Sequence, residues 1–216
     1  MSHSNTIAFQ KQFDNLEQQR ETANLGMWVF LGTELMFFGG VFLAFTIYRL
    51  MYPRAFAEAA GHLDLLTGSI NTFILLTSSF LFSMAISTFQ MRQRALTLLL
   101  LGSATVLGLA FLGVKGFEYL KDMRRGLFPG PSFFYDGPDR DQVQLFFVLY
   151  FIATGLHALH LLIGVFLTLV LMALVMLSWV RPRHELAIGV FGLYWHFVDL
   201  IWVFIFSLFY LLGGGR

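Results

Sequence analysis

The sequence predicts an all-α membrane protein, a bundle of five transmembrane helices, on three observations. First, 57% of the 216 residues are hydrophobic and 12% charged, with a mean hydropathy of +0.70. A water-soluble globule of this size cannot cover that much apolar surface. Second, the apolar residues fall into five runs that reach the about 20 residues a bilayer core requires. Third, the runs are continuous rather than alternating, which excludes a transmembrane barrel. The composition likewise excludes a soluble enzyme, a nucleic-acid binder and a disordered chain. Cysteine is absent, so disulfides and thiolate metal sites are excluded too.

Residues 1–24 are polar and mixed in charge and read as an N-terminal surface segment rather than a cleaved signal. A single transmembrane domain follows over 25–212. Its helices are expected at about 25–48, 67–89, 95–117, 143–179 and 186–212. The fourth run, 37 residues without Pro, is about 55 Å long as a helix, too long for one upright crossing and too short for two. One long, tilted helix is expected. The connection 120–142 holds Pro129, Pro131 and Pro138 and reads as an ordered loop, while the links at 90–94 and 180–185 are tight. Lys11, Arg20, Arg92, Arg94, Arg181 and Arg183 fall on one side of the membrane. Arg49, Arg54, Lys121, Arg124, Arg125, Arg140 and Arg216 fall on the other. The first set sits in the shorter loops, which places the N-terminus in the cytoplasm and the C-terminus outside.

Ionisable groups at membrane depth cost several kcal/mol and each needs a reason. Glu34 lies well inside the first run; His157 and His160 share a face of the fourth, and His196 and Asp199 a face of the fifth. Glu34 lies about 14 Å along its helix and His196 about 15 Å along a helix running the same way. A Glu34–His196 pair inside the bundle is therefore expected, with the first and last helices as neighbours. Lys115 and Glu118 fall about 30–35 Å from the start of the third run and are expected as an interfacial surface pair with the lysine snorkelling. Ser79, Ser83 and Ser87, four residues apart, read as a small-residue stripe for close helix packing. No three-ligand metal cluster is legible.

At these residues the chain resembles subunit III of the haem–copper terminal oxidases, over all five runs. Glu34-Leu35-Met36-Phe37-Phe38, Glu118-Tyr119, the run from Thr154 through His157 and His160 to Gly164, and Tyr194-Trp195-His196-Phe197-Val198-Asp199 stand in the family's order and spacing. Mitochondrial-type members have seven helices; this chain resembles the short bacterial five-helix form. The resemblance implies an accessory, non-catalytic membrane subunit of a cytochrome c oxidase in aerobic electron transport, in the bacterial inner membrane. It would bind no haem or copper itself. Those groups belong to partner subunits I and II, and structural phospholipid is the one ligand implied for this chain. It also implies that Glu34 is the family's reactive buried carboxyl. The subunit's role would be to stabilise the catalytic subunit and to support proton uptake or oxygen access. Alternatives are subunit III of a quinol oxidase, a nitric oxide reductase partner, a haem-carrying membrane anchor using two of the three intramembrane histidines, and a transporter.

Overall fold

The structure, a computed structural model, describes residues 16–131, 133–177 and 184–212. Six α-helices follow one another: α1 (Leu16–Met51), α2 (Pro53–Ala60), α3 (Leu65–Gln90), α4 (Arg94–Arg124), α5 (Arg140–Met176) and α6 (His184–Phe206). A π-helical turn, Ser207–Leu211, continues α6. All but α2 are long and apolar enough to cross a membrane. Helices dominate because a spanning segment in lipid must satisfy its backbone internally. As expected, the fourth run forms one uninterrupted helix, α5. Residues 1–15, with Lys11, and most of the expected 180–185 link, with Arg181 and Arg183, lie outside the described residues, as does Arg216.

Helices α3, α4, α5 and α6 form a closed ring in which each packs on the next and α6 returns to α3. At least one polar contact marks each seam. Ser78 Oγ donates to Ala104 O at 2.9 Å (α3–α4) and Tyr119 pairs with Thr154 (α4–α5). Tyr194 Oη donates to His160 O at 2.9 Å (α5–α6), and Trp202 Nε1 donates to Thr72 at 3.0 Å (α6–α3). Trp195 fills the ring centre. It stacks on Phe82 with centroids 5.2 Å apart, and a Cβ added at Gly108 or Gly164 would stand 3.3 Å from its indole. Those glycines let three helices close around a Trp.

Helix α1 lies outside the ring on the α5/α6 seam. Phe30 meets Tyr194 and Phe42 meets Phe204, both with centroids 6.1 Å apart, so α1 and α6 run in parallel as neighbours. At its far end Phe45 packs with Phe56, Phe146 and Phe209. Phe56 belongs to α2, a short helix the hydropathy reading does not anticipate. Pro53 opens it and Ala55, Phe56, Ala59 and Ala60 form its buried face. Asp64 caps α3 by accepting from Thr67 N at 3.3 Å, which holds its carboxyl below the usual range. The 90–94 link is tight as expected, turning through Arg92 at φ 59°.

Helix α4 runs on to Arg124, well past the expected end near residue 117. Lys115 and Glu118 therefore sit nine and six residues inside it, about 13 and 9 Å from its end. They are not an interfacial surface pair: their side chains are 2% and 5% exposed. Both charges lie inside the bundle, where Tyr150 and Tyr210 of other helices meet them.

Candidate functional site

Three polar constellations occupy the membrane domain. The first joins α1 to α5. Glu34 Oε2 lies 3.2 Å from His160 Nε2, and His160 Nδ1 lies 2.8 Å from Leu156 O. A backbone carbonyl only accepts, so Nδ1 carries a proton. The remaining proton of the pair then sits on Glu34, donated to Nε2, or on Nε2, donated to a carboxylate. One geometry serves both states, which suits a pair that holds or passes a proton.

Glu34 is thus paired, but not with the expected partner. Glu34 and His196 do lie at a common level: Phe30 and Tyr194, one turn from Glu34 and near His196, have ring centroids 6.1 Å apart. What depth does not carry is azimuth. Tyr194 faces α1 and α5, and His196, two residues on, points about 200° away around the helix, toward α3. Glu34→Gln is expected to keep α1 docked, since an amide still donates to Nε2. Glu34→Ala leaves His160 half-buried without its partner and is expected to cost about 1–3 kcal/mol. Limited proteolysis of α1 in detergent reads the difference; equal α1 protection in the two variants would disprove the contribution of the pair.

The second constellation lies on the α3/α6 seam. His196 Nδ1 is 2.6 Å from Ser79 Oγ and Nε2 is 3.0 Å from Ser83 Oγ. Asp199, one turn along α6, is 3% exposed and faces the Ser79 hydroxyl, though neither carboxyl oxygen completes a hydrogen bond. The serine stripe borders α6 at this seam, with Ser79 half-buried and Ser83 and Ser87 exposed in this chain. Helices α3 and α6 also approach closely at two glycines: an added Cβ at Gly68 would meet Tyr210 at 2.8 Å, and one at Gly192 would meet Ile86 at 2.5 Å.

The third constellation is a closed network inside the ring. Lys115 Nζ donates to Glu118 Oε2 at 3.1 Å, Tyr150 Oη at 2.6 Å and Tyr210 Oη at 2.7 Å, which uses all three of its protons. Both phenols in turn donate to Glu118 Oε1, at 2.7 Å from Tyr150 and 2.6 Å from Tyr210. The ammonium also lies 5.1 Å from the Trp202 ring centroid. Tyr210 reaches the network from the π turn, a widening that commonly marks sites where a helix re-aims a side chain. Sequence reasoning missed Tyr150 and Tyr210. The available signal was Lys115 itself, since an ammonium inside a span needs several acceptors from other helices.

His157 points into the ring, 1% exposed, between Phe111 and Trp202, with ring centroids 5.4 and 5.2 Å away. The three histidines thus serve three separate surroundings: the ring interior, Glu34 on α1 and the serines of α3. That arrangement does not present two opposed imidazoles to one haem. Among the described residues no group of three or more His, Cys, Asp or Glu converges as a metal site.

Comparison with known proteins agrees with this architecture. The chain is 30% identical over 206 residues to quinol oxidase subunit 3 of Bacillus spizizenii, covering 93% of each chain. It is 31% identical over 192 residues to cytochrome c oxidase subunit 3 of Synechocystis, covering 87% of this chain and 74% of the relative. It is 32% identical over 191 residues to a heme-copper oxidase subunit I+III of Aeropyrum pernix, covering 86% of this chain but 22% of that longer protein. Residues 9–214 match the family model described as cytochrome c oxidase subunit III. With five spans and that match over nearly its whole length, the chain belongs to the cytochrome c oxidase subunit III family.

Proposed function

We propose that this chain is the accessory, cofactor-free subunit of a haem–copper cytochrome c oxidase in a bacterial inner membrane, packed against a catalytic subunit I and associated with a subunit II. The observation that carries the reading is the family match over residues 9–214, and the fused subunit I+III relative supports association with subunit I. In this role the chain stabilises the catalytic subunit and supports proton uptake or oxygen access. Glu34, held in a proton-sharing pair with His160, is its functional carboxyl. Lipid covers the remaining apolar faces and phospholipid can be structural there. A second reading, subunit III of a quinol oxidase, is favoured by the Bacillus relative, which is as similar as the cytochrome c oxidase relatives and matches 93% of both chains.

The test is extraction of the tagged chain in mild detergent. Subunit I with its haem and copper is expected to copurify, and the complex is expected to reduce oxygen with reduced cytochrome c. Oxygen uptake with a quinol alone establishes the second reading. A monodisperse chain without partners, or one carrying stoichiometric haem itself, overturns both.

A further inference from the structure

We propose that Ser83, His196 and Ser79 form a proton relay that connects the buried carboxyl of Asp199 with the outer face of α3.

The serines descend α3 from its C-terminal end at about 6 Å per step. Ser87 and Ser83 are exposed, Ser79 is half-buried, and Asp199, level with it on α6, is 3% exposed. Ser79 lies eleven residues from Gln90, so the row reaches about 16 Å along the helix axis. A row of small residues alone would mean little. Here it ends at a buried carboxyl whose two oxygens complete no hydrogen bond, and the imidazole that joins them is held at both nitrogens, at 2.6 and 3.0 Å.

The hydroxyls are also used unusually. Thr46, Ser69, Thr72, Thr77 and Thr105 each return their hydroxyl to the carbonyl four residues earlier in their own helix. That is the ordinary fate of a helical hydroxyl. Ser87 does the same, toward Ser83 O at 3.4 Å, whereas Ser79 and Ser83 meet His196.

The chemistry then follows from donor and acceptor capacity. With Asp199 ionised, Ser83 donates to Nε2, Nδ1–H donates to Ser79, and the Ser79 hydroxyl turns to the carboxylate. Transfer moves the Ser79 proton to Asp199, the Nδ1 proton to Ser79 and the Ser83 proton to Nε2. Ser83, which is exposed, is refilled by a proton from outside. Each bond broken is matched by one formed, nothing is oxidised or reduced, and one proton is taken up. The imidazole changes tautomer, so the tautomer of His196 reports the protonation of Asp199. Running in reverse returns the proton.

The experiment uses the assembled complex moved from H2O to D2O, with no turnover required. Nitrogen NMR of ring-labelled histidine, assigned with His196→Gln, reads the tautomer and the exchange of the ring proton. Infrared difference against Asp199→Asn reads the carboxyl. Ser83→Ala is expected to slow exchange at His196 about tenfold, the factor one hydrogen bond is worth, and Ser83→Thr to restore it. Ser79→Ala is expected to leave exchange at His196 fast and to slow it at Asp199. Asp199→Asn is expected to shift the tautomer balance. Exchange at His196 indifferent to Ser83→Ala, or a tautomer balance indifferent to Asp199→Asn, overturns the relay and leaves the serines as simple hydrogen-bond partners of the ring. Ser83 is exposed and Ser79 only half-buried, and each variant removes a single hydroxyl, so the alanine variants remove little packing.

Discussion

Lys115→Met is expected to strip this subunit from its complex, or to shorten sharply the time it stays bound in detergent. The substitution removes the one cation from a network that is otherwise all acceptors and phenols. Glu118 then remains 5% exposed, with its charge answered only by the Tyr150 and Tyr210 hydroxyls. Removing one member of a buried pair typically costs about 3–5 kcal/mol, more than replacing both by apolar groups of like shape. Lys115→Met with Glu118→Leu is accordingly expected to recover most of the loss. Glu118→Gln alone is expected to be nearly as harmful as Lys115→Met, because it keeps the shape and leaves an ammonium uncompensated. Retention of the chain on subunit I after graded heating measures all of these. A single variant as stable as the wild type would show that the network holds nothing together.

How much of this was legible before the fold was seen depends on what each signal measures. Hydropathy measures depth, and depth was readable. The five spans, the single long α5 and the common level of Glu34 and His196 all follow from runs of apolar residues and a rise of about 1.5 Å per residue. Azimuth around each helix was not readable, because these helices are apolar all round: one face meets lipid and the other meets protein with much the same residues. So Glu34 could be placed at a level but not turned toward His160, and His196 could not be turned toward Ser79. The end of α4 was misjudged for a related reason. Lys115, Glu118, Lys121 and Asp122 look like the edge of a membrane, but two of them answer each other and the phenols of Tyr150 and Tyr210 inside the ring. Those phenols stand 35 and 95 positions beyond Lys115, a separation no local pattern spans. The small-residue signal is ambiguous in another way. A serine stripe and a glycine notch both permit close approach, and only the neighbour decides which is used for it.

Gly68 is that notch, and Gly68→Ala is expected to be among the costliest small changes in the protein. On propensity alone, alanine in a helix interior stabilises by up to about 1 kcal/mol over glycine. An added Cβ at Gly68, however, stands 2.8 and 2.9 Å from Tyr210 Cε1 and Cδ1 and 3.0 Å from Phe206 Cε2. Neither ring can yield freely. Tyr210 is 4% exposed and its hydroxyl is shared by Lys115 and Glu118, while Phe206 packs on Tyr210 with centroids 5.4 Å apart. To admit the methyl, α3 must move off α6 or Tyr210 must leave the network. Overpacking of this kind costs about 1–3 kcal/mol, and freeing Tyr210 adds the loss of buried hydrogen bonds to charged groups, each worth about 1.5–3 kcal/mol. Gly32→Ala on α1 is the matched control: an added Cβ there meets nothing within 4 Å inside this chain. It is expected to be neutral or slightly stabilising to the isolated subunit. Thermal unfolding of the two variants side by side in one detergent reads the contrast. The local argument fails if Gly68→Ala unfolds no earlier than Gly32→Ala. A further outcome is informative about the network: if Gly68→Ala is destabilising by itself but adds nothing to Tyr210→Phe, the methyl acts by displacing the Tyr210 hydroxyl rather than by parting the helices.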